Sequence, residues 1–205
     1  NRFRGDLGLS GLPLEMITMA EEMGMISDFD LAAGQKAFSM ITQNVASAGG
    51  IPPIAVNVSG HSISDHHFVE EFRQLIVKAS NVAKFLSIEI TESSEITDLE
   101  RVNSYIQEFR ASGFEVALDN FGAGAASFDD LNSFDLDLIK FDGLVVKRAA
   151  GTEKGKAFLA AMATLCRQLG IKTIAEMVED EEMKGLLAEC GIDYGHGWHF
   201  GKTSP

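Results

Sequence analysis

Five short apolar runs each carry, near their C-terminal end, a side chain that can bind a metal or handle a proton. They are Asn57 in IAVNV, Glu89 in FLSIEI, Asp119 followed by Asn120 in FEVALDN, Lys140 in LDLIKF and Glu176 in IKTIAE. Carboxylate and amide oxygens are hard donors that suit Mg2+, Mn2+ or Ca2+, and Mg2+ is commonly held by one or two carboxylates together with a substrate phosphate. A lysine among them can neutralise a phosphate oxygen or hold an attacking water. The combination is that of divalent-metal chemistry on a phosphate ester. Any one of these acids, taken alone, could simply cap the next helix. Their recurrence at equivalent places is what argues for a shared site.

The elements that must position them are strands alternating with amphipathic helices. The runs at 54–58, 85–90, 114–119, 136–141 and 171–176 read as strands, and DYGHGWHF at 193–200 as a weaker sixth. Helical periodicity appears at 12–23 and 29–47, before any strand. It returns in the stripes Phe68, Val69, Phe72, Leu75 and Ile76 behind a Ser64/Asp65 cap; Val102, Ile106 and Phe109; and Phe158, Met162, Leu165 and Leu169. Gly113, Gly170 and Gly191 each follow a helical stretch, where a left-handed C-terminal residue is wanted. Non-alternating strands joined by helices imply a parallel sheet buried on both faces, with polar strand ends gathered on one side. A closed barrel of eight would need two further strands upstream of Asn1.

With 205 residues, 45% hydrophobic, the expectation is one globular domain, and no apolar stretch approaches the roughly 18 residues of a membrane span. A net charge of -13 with no basic run excludes a general DNA or RNA surface, while leaving room for a small anion held by local groups. Cys166 and Cys190 lack any paired ligand spacing and read as buried thiols. His66 and His67 read as surface residues at a helix start, and His196 with His199 as packing or ligand-edge groups rather than a zinc site.

At these same residues the chain resembles the EAL domain family, the bacterial phosphodiesterase domain that acts on cyclic di-GMP. The matching pieces run in family order: GLPLEMITMAEEMGMI, AVNVS, IEITES, ALDNFGAGAAS, DLIKFDG, IAEMVEDEE and DYGHGWHFGKTSP. The resemblance implies an α/β fold, a TIM-like (β/α)8 barrel of the EAL type, over a single domain spanning 1–205. Its N-terminal strand hairpin lies upstream of this chain or is missing, and with it the glutamate of the family's name motif, a metal ligand. It further implies that Asn57, Glu89 and Asp119 match metal ligands, with Asn120 beside them. Lys140 matches the lysine near the attacking water, and Glu176 an acid of the catalytic centre. Arg2, Asp142, Glu179 and His196 fall at ligand-contacting positions. Glu92, Gly122 and Gly124 belong to the loops that couple the metal site to dimer contacts. Mg2+ or Mn2+ is the implied cofactor, cyclic di-GMP the ligand, and a homodimer or another protein the partner. No DNA or RNA and no membrane contact by the domain itself are expected. The implied location is the cytoplasm, either free or as the cytoplasmic part of a larger membrane-attached protein.

Departures from the family pattern bear on activity. Active members usually have two adjacent aspartates where this chain has Asp119 and Asn120; Met177 replaces a usual glycine, Asp180 a threonine, His196 a glutamine and Thr203 a proline. Paired carboxylates bridge two metal ions roughly 3.5 to 4 Å apart, so an amide in place of one removes charge where the second ion needs it. Three readings follow: a receptor with weak or no hydrolysis, an active phosphodiesterase giving linear pGpG, and a protein scaffold that binds no nucleotide.

Overall fold

The structure is a computed structural model, and it describes residues 13–44, 54–91, 96–123 and 128–201. The chain divides into two compact units, 1–115 and 116–205.

In the first unit, helices α1 (Pro13–Glu22) and α2 (Ile26–Asn44) precede strand β1 (Ile54–Val58). The short α3 (Gly60–Ser64), α4 (His66–Ala79) and a 3-10 turn (Ser80–Phe85) lead to β2 (Leu86–Thr91), then α5 (Leu99–Ala111). Asp65 starts α4 by accepting from the His67 N–H, as the sequence expects of an N-cap. The buried stripe of α4 is Phe68, Val69, Phe72 and Ile76. Phe72 is the centre of this core: it stacks on Phe68 at 5.2 Å between centroids and meets Phe109 edge-on at 5.7 Å and Phe38 of α2 at 6.0 Å. Fully burying such a ring contributes about 2 kcal/mol. That packing holds β1 and β2 as an unbroken parallel pair, with Ile54 facing Leu86 through to Val58 facing Ile90.

The second unit contains β3 (Glu115–Phe121) from Val116 onward, α6 (Phe128–Ser133), β4 (Leu138–Phe141), α7 (Gly143–Ala150), α8 (Glu153–Gln168), β5 (Lys172–Ala175), α9 (Glu181–Glu189) and β6 (Tyr194–Gly195). Strands β3, β4, β5 and β6 pair in that order, all parallel. Gly113, Gly170 and Gly191 take φ of 91°, 76° and 81° after α5, α8 and α9, so the helix-ending role expected of them is seen. Both cysteines are free and buried, and burial pushes the Cys166 thiol up to about 11. Among the described residues no helix is long and apolar enough to cross a membrane.

Two expectations need correction. The buried face of α8 is Leu159, Met162, Ala163 and Cys166, whereas Phe158 and Leu169 are exposed. Both sets have helical spacing, and the packed face is rotated by about one residue from the stripe read in the sequence. The last strand is two residues rather than eight. After Gly195 the backbone turns to close on Val178, which donates to the His196 carbonyl while its own carbonyl accepts from His199. A Cβ at Gly197 would fall 2.3 Å from the Val178 backbone, so the approach requires glycine.

Candidate metal and phosphate site

In the second unit the polar strand ends come together through a distortion of β3. Leu118 pairs with Ile139 and Phe121 with Phe141, so three steps along β3 match two along β4. The additional residue makes a bulge at Asp119 and Asn120, set against Lys140. Asn120 takes φ 56°, a left-handed conformation that asparagine tolerates better than other residues with a Cβ. Its carbonyl accepts from Ala123, and Gly122 follows at φ 91°, where a Cβ would press on Val145 at 3.4 Å.

The Lys140 Nζ stands 2.8 Å from Asp119 Oδ1 and 3.1 Å from Glu176 Oε1. All three side chains are largely buried, 12% exposed for Lys140 and Asp119 and 23% for Glu176. Asn120 Nδ2 donates weakly to the other Asp119 oxygen at 3.4 Å. These two carboxylates and one ammonium sum to one negative charge. Glu176 reaches it from just beyond β5, where its N–H donates to the Phe141 carbonyl. The next residue, Met177, also has φ 56°; it and Asn120 are the non-glycine residues with positive φ among those described.

In the first unit Asn57 and Glu89 are register partners on β1 and β2, Asn57 exposed and Glu89 buried. A brace that the sequence reading missed lies beneath. Asp30 of α2, 5% exposed, accepts through Oδ2 from the Ser59 N–H at 2.8 Å and the Ser62 hydroxyl at 2.7 Å, tying α2 to the turn just after Asn57. Burial raises the Asp30 carboxyl above its ordinary value, against the lowering effect of those hydrogen bonds. The signal was present: Asp30 stands at helical spacing from Ile26, Ala37 and Ile41 on the apolar face of α2, where a carboxylate needs buried partners.

The remaining predicted residues have local roles of their own. Asp142 caps α7, its Oδ1 accepting from Leu144 and Val145, both at 3.0 Å. Glu179 pairs with Lys147 at 3.2 Å on the surface. His196 is exposed, and its backbone bridges Ala175 and Val178. His199 contacts Glu181 at 3.0 Å, and His66 and His67 are exposed at the start of α4. Arg2, Glu92, Gly124 and Thr203 lie outside the described residues.

The donors fit a hard divalent cation in kind. Asp119 Oδ1 is buried and, among the described residues, takes no aligned hydrogen bond; the Lys140 ammonium stands 2.8 Å from it. Among the described residues, no three His, Cys, Asp or Glu side chains gather around one point. In the second unit Asp119 is a buried carboxylate of that kind, flanked by Lys140 and, beyond it, Glu176.

The chain is 31% identical over 193 residues to the cyclic di-GMP phosphodiesterase PdeB of Shewanella oneidensis, covering 94% of this chain and 22% of that protein. It is 29% identical to the cyclic di-GMP phosphodiesterase PdeF of Escherichia coli, covering 94% and 26%. It thus spans about a quarter of the length of these curated relatives. Among solved structures, the S helix-GGDEF-EAL structure of Vibrio cholerae LapD matches with a TM-score of 0.82 at 24% identity, over 96% of this chain and 47% of that one. The manganese and cyclic di-GMP complex of Klebsiella pneumoniae BlrP1 matches with a TM-score of 0.73 at 28% identity, over 92% and 47%. These likenesses give the fold class as α/β, TIM-like and of the EAL type, in agreement with the repeated strand and helix units. The EAL domain profile matches residues 2–203, nearly the full length, and with it the chain belongs to the EAL domain family.

Proposed function

We propose that this chain is a degenerate EAL domain that binds cyclic di-GMP as a receptor and hydrolyses it weakly or not at all. The observation that carries the reading is Asn120. It stands in the bulge beside Asp119 in a left-handed conformation that asparagine tolerates, and its amide adds no negative charge and directs a donor at Asp119. Asn57 and Glu89 in the first unit, and Asp119 with Asn120 in the second, are the side chains proposed to hold Mg2+ or Mn2+. When bound, such an ion supplies Lewis-acid activation of water and charge stabilisation at the leaving oxygen. Lys140, already poised between two carboxylates, offers its ammonium to a phosphate oxygen, and Arg2 supplies a second cation. Glu176 holds Lys140 and, with it, is assigned to the catalytic centre. Asp142, Glu179 and His196 border the ligand, and Glu92, Gly122 and Gly124 carry its state to a homodimer or other protein partner.

A second reading, active hydrolysis to linear pGpG, is supported by the intact Asp119, Lys140 and Glu176 cluster and by the phosphodiesterase names of the relatives. One assay separates the two. The full-length protein is incubated with cyclic di-GMP and Mg2+ or Mn2+ and linear product is followed. The receptor reading expects binding with negligible product, and a gain in turnover on Asn120→Asp, which restores the carboxylate at no backbone cost. Turnover by the unaltered protein in the ordinary enzyme range, about 1 per second or faster, decides for the enzyme.

A further inference from the structure

Met177 stands in a conformation that a methionine enters only at a cost, φ 56°, one residue after Glu176. Strain of this kind persists where the surroundings enforce it, and here they can be named. The Glu176 N–H is held by the Phe141 carbonyl, the Ala175 carbonyl accepts from His196, and the Val178 N–H donates back to the His196 carbonyl. Between those anchors the Met177 side chain lies on Gly143, the first residue of α7. A Cβ on Gly143 would fall 2.3 Å from Met177 Cγ and 2.4 Å from its sulfur, so the methionine occupies the room that the glycine leaves. Gly143 is buried as a result, although Met177 itself stays 43% exposed.

We infer that Met177 is a positioning residue whose side chain, wedged on Gly143, holds Glu176 against Lys140. It thereby keeps the Asp119, Lys140 and Glu176 cluster one unit negative toward a divalent cation. Asn120 contributes no charge, so the second carboxylate of this unit's cluster is Glu176, and its value to a cation depends on its staying in place. If Glu176 swings out to solvent, Asp119 and Lys140 neutralise each other and the attraction is lost. The inference rests on the reading of this cluster as the cation-and-phosphate site.

The test is a Mn2+ titration of the full-length protein without nucleotide, with free Mn2+ read by electron paramagnetic resonance, alongside thermal melting. Met177→Gly is expected to weaken Mn2+ binding about ten-fold, the effect of one unit charge a few ångströms from a divalent ion in a wet site. The melting temperature should hold or rise, because glycine takes φ 56° freely. Gly143→Ala, which pushes the methionine off its seat, is expected to give the same loss. The double variant should bind no more weakly than Met177→Gly alone, the non-additivity of a shared contact. Asp119→Asn should abolish this binding and so locate it.

Binding by Met177→Gly within about two-fold of the unaltered protein overturns the inference, since two-fold is only ~0.4 kcal/mol. So does a loss that merely follows a falling melting temperature, a Mn2+ signal indifferent to Asp119→Asn, or no binding by the unaltered protein at millimolar Mn2+. Calorimetry with cyclic di-GMP on the same samples reads the receptor assignment separately. Silence there would sink that assignment and leave the Mn2+ comparison standing.

Discussion

In the first unit Asn57 and Glu89 come side by side because β1 and β2 keep an even parallel register; in the second, Asp119, Lys140 and Glu176 meet only after a bulge and two left-handed residues. The first arrangement is carried by the ladder itself, and exchanging one polar side chain leaves the backbone as it was. The second is carried by particular residues: asparagine in the bulge, methionine over glycine, an ammonium between two acids. The units therefore present similar donor types with different tolerance. Substitutions at strand ends should cost function alone in the first, and function together with local structure in the second.

The contrast is tested most severely at Lys140. Lys140→Met keeps the bulk of the side chain and leaves Asp119 and Glu176, both largely buried, without their counter-ion. Removing one partner of a buried pair costs about 3 kcal/mol, which urea denaturation of the full-length protein would read as a lower midpoint. Cyclic di-GMP affinity should fall with it, by about ten-fold or more for one lost charge-assisted contact to phosphate. Full stability with full affinity would show that the cluster neither supports the fold nor meets the ligand.

The Asp30 brace departs from the regularity of the first unit, and it gives the next largest effect. Asp30→Ala strands the Ser59 N–H and leaves the Ser62 hydroxyl with only the Ser59 hydroxyl at 2.8 Å, and should cost about 2 kcal/mol, whereas Asp30→Asn retains an acceptor and should be close to neutral. The pH dependence has a definite sign. Burial raises the folded carboxyl above the ordinary 3.8, so the native state keeps a proton that the unfolded chain has already released. Its favourable contribution is fully present below 3.8 and is lost as pH rises through the raised folded value. Stability relative to Asp30→Asn should therefore decline with rising pH across that interval. An unchanging difference between the two proteins would remove Asp30 from the account.

The same contrast explains how much could be read from the sequence. β1 was legible to the residue, and the other strands through β5 to within one or two, because these parallel strands are short, nearly continuous apolar runs bounded by polar or turn residues. The strand-end residues were legible as chemistry for the same reason: a polar group at the end of such a run stands out. The bulge was not legible, since VALDNF reads identically in a straight strand and a kinked one. Met177 stood out only as a departure from a usual glycine; its conformation is imposed by hydrogen bonds of its neighbours to Phe141 and His196, far away in the chain. Asp30 needed the helical phase of α2 to be compared with a turn 29 residues later. α8 offered two apolar stripes, and only packing selected between them.

The smallest effect separates surface electrostatics from recognition in the second unit. Glu179 and Lys147 are 3.2 Å apart with side chains 41% and 55% exposed. A pair so open to solvent is screened, so Lys147→Ala should change stability by less than about 0.5 kcal/mol, and less still at high salt. If Glu179 borders the nucleotide as proposed, the same substitution releases a carboxylate toward a dianionic ligand. Affinity should then fall by about two- to three-fold at low salt, with the loss fading as salt is added. Calorimetry at two salt concentrations reads this directly. An affinity that ignores both the substitution and the salt would leave Glu179 as a surface partner of α7, and would confine recognition to the distorted strand ends around Lys140.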